Sequence, residues 1–558
     1  MSDQHGAHLE VAASGAAASA VRAHVPALVD ERFASRLFAQ DATLSGPDAE
    51  REAAIRLSWV GLARSSRHLV GEVAALRDTL TAAGLDHVVL CGMGGSSLAP
   101  EVICATAGVP LTVLDSSDPD YVRSALGDRL ERTVVVVSSK SGGTLETDSQ
   151  RRAYEQAFRA AGIDPTQRIV VVTDPGSPLE VSAHAAGYRV VVADPHVGGR
   201  YSALTAFGLV PSGLAGVDVG ALLDEADSVA DLLAQDDEAN PGLVLGAALA
   251  GTPGADPPRD KVLLVPDGTP IRGLGDWAEQ LIAESTGKLG RGLLPVVVEG
   301  PAAPELAAAS ADVLAVHLVS GTDDAEPAAA DGDNGDNGDN GNEATPAQAV
   351  VAGSLGAQLL LWEVATAVAG RLLGINPFDQ PDVESAKRAA RRLLDAPSED
   401  KPAFVSDGIA VSATPGLLDG VDDLAGALAA LLGHLDSQRG YLAVSAYLDR
   451  GAQAALAGVR APLARRTGRA TTFGWGPRFL HSTGQYHKGG PATGVYLQIT
   501  GAPHTDLQVP GQPFTFGELI GAQAAGDAQV LADRGRPVLR LHLSDRDAGV
   551  ARLLRVLQ

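Results

Sequence analysis

Short, uniformly apolar runs alternate along most of this chain with longer stretches whose apolar positions recur at helical spacing. The clearest case is Arg132–Thr147, RTVVVVSSKSGGTLET. Four consecutive valines bounded by polar residues predict a buried parallel strand, and LETDSQRRAYEQAF after Gly143 predicts an amphipathic helix. His87–Val102, HVVLCGMGGSSLAPEV, repeats the plan. Further strands are predicted from Ile169 (IVVVTDP) and over Tyr188–Ala193. A second block runs through Lys261 (KVLLVPDG), Leu293–Val298 and Val313–Leu318 to a long helix, Ala352–Leu373. Helical patterns fill the chain before about Gly84. After residue 398 come strands at Tyr441–Leu448, Val495–Ile499 and Pro537–Leu543, with a helix at Glu518–Leu531. The pattern predicts an α/β protein with an N-terminal helical segment (1–84), two α/β blocks (85–250 and 251–398) and a C-terminal α/β region (399–558).

The chain has 558 residues, enough for roughly three to four domains. Its formal net charge of −25 disfavours nucleic acid and anionic membranes as partners, so an anionic ligand must be held by local donors. Cys91 and Cys104 make neither a disulfide framework nor a CxxC site, which fits a reducing cytoplasm. No apolar stretch reaches membrane-spanning length, and Met1–Ala20 lacks the pattern of a signal peptide. The acidic Asp-Asn-Gly segment Thr322–Ala347 has no large apolar residue and reads as a disordered insertion. Its glycine spacing fits no EF-hand loop.

The two hydroxyl-rich loops carry the first chemistry. Each stands where free backbone N–H groups and the positive end of a helix dipole favour an anion. Ser96, Ser139, Ser141 and Thr144 add hydroxyl donors, Gly95 and the pair at 142 and 143 allow close backbone approach, and Lys140 adds a charge or reaches outward to solvent. GxxxxGK[ST] is absent, which points to a small phosphorylated metabolite rather than a nucleotide. Arg200 in VGGRYS is a candidate oxyanion partner. In GDWAEQLIAESTGK, Gln280 and Glu284 share a helix face, and an apolar turn beside Glu284 suits a general base. The plainer reading is a solvated helix-end carboxylate beside Lys288. NPFDQPDVESAK supplies Lys387, and FLHSTGQYHKGG supplies His481. His481 and His487 lack a third ligand at zinc spacing, so no metal is expected.

Together these segments resemble the glucose-6-phosphate isomerase family, whose fold has two sugar-isomerase (SIS) parallel-sheet sandwich domains. GMGGSS is similar to its first phosphate loop, SKSGGTLET to its second, GGRYS to its arginine turn, QLIAESTGK to its glutamate segment, NPFDQPDVESAK to its lysine segment and LHSTGQ to its histidine segment. The resemblance implies phosphate contacts at Ser96, Ser139, Ser141 and Thr144, Glu284 as the base between C2 and C1, and Arg200 as the cation on the enediolate. It places Gln280, Gln380 and Lys387 along the sugar and gives His481 the ring oxygen. It also implies no cofactor, a cytoplasmic homodimer, and a role in glycolysis and gluconeogenesis. A dual glucose/mannose phosphate isomerase and a non-catalytic SIS sugar-phosphate sensor are the alternatives. Two features depart from the family pattern: Gly143 stands where a second threonine is usual, and His481 follows Lys387 instead of preceding it. The second departure is similar to the isomerase half of transaldolase fusions, and it predicts that the C-terminal region folds back to return His481 to the pocket, in its own or a neighbouring chain.

Overall fold

The computed structural model describes residues 9–308, 310–321, 346–381, 383–395 and 401–557. Within the last helix before residue 396, the side chains of 383–387 and 395 lie outside the described part. Among the described residues the strands form three sheets. An opening strand, β1 (Leu9–Ser14), is followed by β2 (His87–Gly92), β3 (Thr112–Leu114), β4 (Thr133–Ser138), β5 (Ile169–Thr173) and β6 (Arg189–Val192). The last five make an all-parallel sheet of order β3-β2-β4-β5-β6. Its central strands β2, β4 and β5 are buried at every position, as unbroken apolar runs require.

Next come β7 (Lys261–Pro266), β8 (Leu294–Val297), β9 (Val313–Val319) and β10 (Ala347–Gly353). They pair in parallel, and β1 closes the edge antiparallel to β10, giving the order β1-β10-β9-β7-β8. The N-terminal segment is therefore not wholly helical. LEVAAS leaves the helical part of the chain and completes the second sheet. The expected long helix starts at Leu355 instead of Ala352, because Ala347–Gly353 is a strand. Residues 322–345 of the expected insertion lie outside the described residues, and Ala347, its expected last residue, opens β10. The long helix Leu355–Leu373 is buried from Leu355 to Gly370 and packs against Pro241–Ala250, Val219–Leu233 and Leu274–Thr286. One apolar core running from Leu9 to Phe378 unites these two sheets and their helices.

The C-terminal region holds β11 (Phe404–Ser406), β12 (Ile409–Ala413), β13 (Tyr441–Tyr447), β14 (Thr471–Trp475), β15 (Gly494–Gly501) and β16 (Val538–Leu543), in the order β11-β12-β16-β15-β13-β14. Its own core lies on one face, among Leu442, Leu497 and Leu541. Tyr441, Tyr486 and Tyr496 pack instead with Leu263, Val265 and Val296, so this region docks on the second sheet. No helix among the described residues is long and apolar enough to cross a membrane.

Candidate active site

Parallel pairing brings the two hydroxyl-rich loops side by side. The β2–β4 register sets Gly92 opposite Ser138, so both strands release their chains at one carboxyl edge. From there the chain enters the helices Leu98–Ala107 and Leu145–Ala160, whose first N–H groups face that edge. Gly142 N–H donates to Ser139 Oγ at 3.2 Å and Gly143 N–H to Ser141 Oγ at 3.2 Å, while Ser139 Oγ lies 3.4 Å from Thr144 Oγ1. Thr144 is the N-cap residue, and its side chain makes no capping bond to the helix. The hydroxyls of Ser139, Ser141 and Thr144 thus gather at the helix start, next to β2 and the 3₁₀ turn Gly94–Ser96 that follows it. Lys140 turns elsewhere. Its ammonium is 2.7 Å from Asp174 Oδ2 and donates to the Val197 carbonyl at 2.8 Å, bracing the loop against the arginine turn.

Gly95 explains how that turn comes so near. A Cβ on it would lie 2.0 Å from the Gly199 carbonyl oxygen, so only glycine admits the 3₁₀ turn Gly199–Tyr201 at this distance. The turn delivers Arg200, 3% exposed, onto the helix Leu274–Thr286. Arg200 Nε donates to Ser285 Oγ at 2.8 Å, Nη1 to Gln380 Oε1 at 2.6 Å, and Nη2 to the carbonyls of Pro377 and Asp379 at 2.6 and 3.0 Å. Its Nη1 is 3.6 Å from Glu284 Oε2. Gln280, one turn before Glu284, lies 3.4 Å from the same oxygen through its Nε2. Glu284 is 5% exposed, which removes the solvated helix-end reading. Lys288 likewise is buried. Its Nζ donates to the Asn376 carbonyl and, at 2.6 Å each, to the Asp379 carbonyl and Oδ1. Burial first and then the Arg200 charge hold this amine down to about 7, with Asp379 opposing the shift.

The histidine arrives from the C-terminal region of the same chain. The turn Arg478–His481 follows β14 and sits over the first hydroxyl-rich loop, such that a Cβ on Gly94 would fall 2.7 Å from Gln280 Nε2 and 3.0 Å from His481 Cβ. His481 Nε2 is 3.2 Å from Glu146 Oε1, a carboxylate in the first turn of the helix Leu145–Ala160. The same oxygen accepts from Gln523 Nε2 at 2.7 Å, and Ser117 Oγ donates to Gln523 Oε1 at 2.5 Å. Next to His481, Ser482 Oγ donates to Glu279 Oε1 at 2.9 Å. Burial and the nearby Asp276 carboxylate push Glu279 up to about 8. Arg478 binds Glu101 and, at 2.5 Å, Asp115 Oδ2. His487 is enclosed by the rings of Tyr441, Phe479 and Tyr496, and burial holds its imidazole well below the ordinary range.

Of the residues singled out in the sequence, Gly95, Arg200, Gln280, Glu284, Gln380 and His481 converge around one cleft above the loop that carries Ser139, Ser141 and Thr144. Lys387 lies on the helix Val383–Asp395, with its side chain outside the described residues. Sequence reasoning passed over Glu146 and Ser285 and took Lys288 only as a neighbour of Glu284 in the solvated reading. Their signals are weak: an acid in a helix first turn, a serine beside the base, and a lysine after a helix-ending glycine. Chemically, the assembly offers an anion grip, a carboxylate against a fixed guanidinium, and an imidazole paired with a carboxylate. These parts suffice to move a proton between neighbouring carbons next to a developing oxyanion.

No family model matches the chain. A probable glucose-6-phosphate isomerase of Haloarcula marismortui is 31% identical over 358 residues, a stretch covering 58% of this chain and 82% of that protein. A hypothetical protein of Thermus thermophilus, solved by crystallography, is 26% identical with a TM-score of 0.55, covering 69% of this chain and all of that one. The crystal structure of a glucose-6-phosphate isomerase from Chlamydia trachomatis, 19% identical with a TM-score of 0.51, covers 67% of this chain and 86% of its own and shares the fold.

Proposed function

Because the chain belongs to the glucose-6-phosphate isomerase family, we propose that this sugar-phosphate isomerase interconverts glucose 6-phosphate and fructose 6-phosphate through an enediolate. The observation that carries the reading is the buried Glu284–Arg200 pair at 3.6 Å, with Gln280 on the same carboxylate. The substrate phosphate rests on Ser96, Ser139, Ser141 and Thr144 at the two helix starts, where no bond changes and binding energy serves to position the sugar. His481, oriented by Glu146, protonates the ring oxygen as the O1 hydroxyl proton leaves to water and the ring opens; on closure it takes the proton back from that oxygen while water supplies one to O2. Glu284 then removes the proton on C2. The electron pair forms the C1–C2 double bond, and the carbonyl oxygen on C1 becomes an oxyanion facing Arg200. After the hydroxyl proton on O2 has moved to O1, Glu284 gives its proton to C1 and the carbonyl re-forms at C2.

Gln280, Gln380 and Lys387 line the sugar in this reading. It requires no cofactor, and it carries with it a cytoplasmic homodimer acting in glycolysis and gluconeogenesis. The test incubates the protein with fructose 6-phosphate and measures glucose and mannose phosphates separately. Glucose 6-phosphate alone is expected. Both epimers would mark a dual isomerase, and turnover to neither would leave a sugar-phosphate sensor and overturn the proposal.

A further inference from the structure

A second cleft lies apart from this site and shares no residue with it. The connection between the helix Pro241–Ala250 and β7, the turn at 290–293 and the end of the helix Leu355–Leu373 enclose about 620 Å³. Arg259 stands in it in an unusual state. Its Nε and Nη1 are both buried, and neither has a hydrogen-bond partner. In a chain with 68 acidic residues, a guanidinium with two dehydrated N–H positions that no acceptor meets is costly, and such orphans mark places where a ligand or ion completes the bonding. Burial lowers the affinity of that guanidinium for its proton, as expected when no counter-charge is near.

The surroundings favour an anion. Arg291 stands at the exposed rim, and His24 is fixed by a 2.9 Å bond between its Nε2 and the Gly251 carbonyl. The carboxylate among the described lining residues, Asp260, is committed elsewhere. It lies 2.6 Å from Lys261 Nζ, which also holds Asp312 at 2.9 Å. Glycines 254 and 290 leave open space where side chains would otherwise crowd the cleft, and Pro258 and Leu373 give apolar wall for a carbon skeleton.

We propose that this cleft binds a small organic oxyanion, a phosphate ester or a polycarboxylate, whose charged group docks on Arg259 and Arg291. Guanidinium groups suit both chemistries, because planar donors match phosphate and carboxylate oxygens alike. The turn that forms one wall begins two residues after Lys288, so a bound ligand would rest against the segment that closes the Glu284 helix.

The experiment uses the full chain carrying Ser139→Ala and Thr144→Ala, which weakens anion binding at the isomerase site. Inorganic phosphate and citrate are titrated separately by calorimetry, with melting temperature as a parallel readout. A saturable response to phosphate assigns a phosphoryl ligand and one to citrate a polycarboxylate; either supports the oxyanion site. Adding Arg259→Met should weaken the response about tenfold or more, the scale of a lost bond to a charged group. In anion-free buffer that variant should melt no lower than its parent, because it removes two buried donors that have no acceptor. Should Arg259→Met fail to fold, Arg291→Ser at the exposed rim makes the same test. A response to neither anion overturns the proposal, as does a response that survives both substitutions unchanged.

Discussion

The part of the chain before residue 381 and the region 401–557 contribute to the same cleft by different physics. In the first part, each functional side chain is delivered by its own local segment: a strand end, a helix start, a tight turn. Ser139, Arg200 and Glu284 stand where β4, the Gly199 turn and the helix Leu274–Thr286 put them, within one shared core. The C-terminal region has a core of its own and supplies His481 only by docking. Charged groups dominate that seam near the site: Arg478 and Arg450 on Glu101 and Asp115, and Arg546 on Asp118. Locally built geometry survives small changes elsewhere, whereas docked geometry depends on every contact that sets the angle of approach.

The largest expected effect breaks the first half of this contrast. Glu284→Gln keeps shape and hydrogen bonding but removes the proposed base, so kcat should fall by about 10²-fold or more with KM close to unchanged. Steady-state kinetics with fructose 6-phosphate decide it, and full activity would remove Glu284 from the chemistry.

A smaller loss should follow from loosening the docked half without touching a reacting group. Arg478 lies three residues before His481 and is held by two carboxylates of the first block. Arg478→Met should lower turnover of the ring-closed substrate toward the level of His481→Ala, on the order of 10²-fold for a lost general acid. Turnover of a sugar phosphate too short to form a stable ring should hold near wild type in both variants. If Arg478→Met lowers both substrates equally, its role is structural support and not the placing of His481.

The weakest effect lies on the seam itself and is read as pH dependence. Glu279, bonded by Ser482, has its folded pKa pushed up to about 8, above the usual carboxylate value of 4.5. Below the unfolded pKa its contribution to stability is fully present. As pH rises toward 8 the folded carboxyl must ionise against burial, and that contribution is lost. Glu279→Gln should therefore gain in melting temperature relative to wild type as pH goes from 5 to 9. A gap that stays constant over that range would show an ordinary, solvated carboxylate.

The same contrast governs what could be read from the sequence. The loops of β2 and β4 were legible because a short apolar run and a hydroxyl-glycine loop determine strand, turn and helix start within a few residues. β3 was not, since three residues at Thr112–Leu114 carry too little periodicity. β10 was lost where an alanine-rich strand runs into a helix, and β1 because its pairing partner lies far along the chain. In the site, Arg200 and Glu284 followed from their segments. Glu146 did not, because an acid in a helix first turn serves equally well as a partner for the helix dipole. Only the docked His481 and Gln523 reveal that its carboxylate faces across a seam.

The meeting of His481 with Glu146 within one polypeptide has a consequence in mass action. A site that borrows its acid from a neighbouring subunit loses it upon dilution, as protomers part and the equilibrium runs toward halves. Here both members of the pair are tethered by the same backbone, and protein concentration does not enter their encounter. Whatever assembly the chain forms, the meeting of His481 with Glu146 is a matter of folding and not of association.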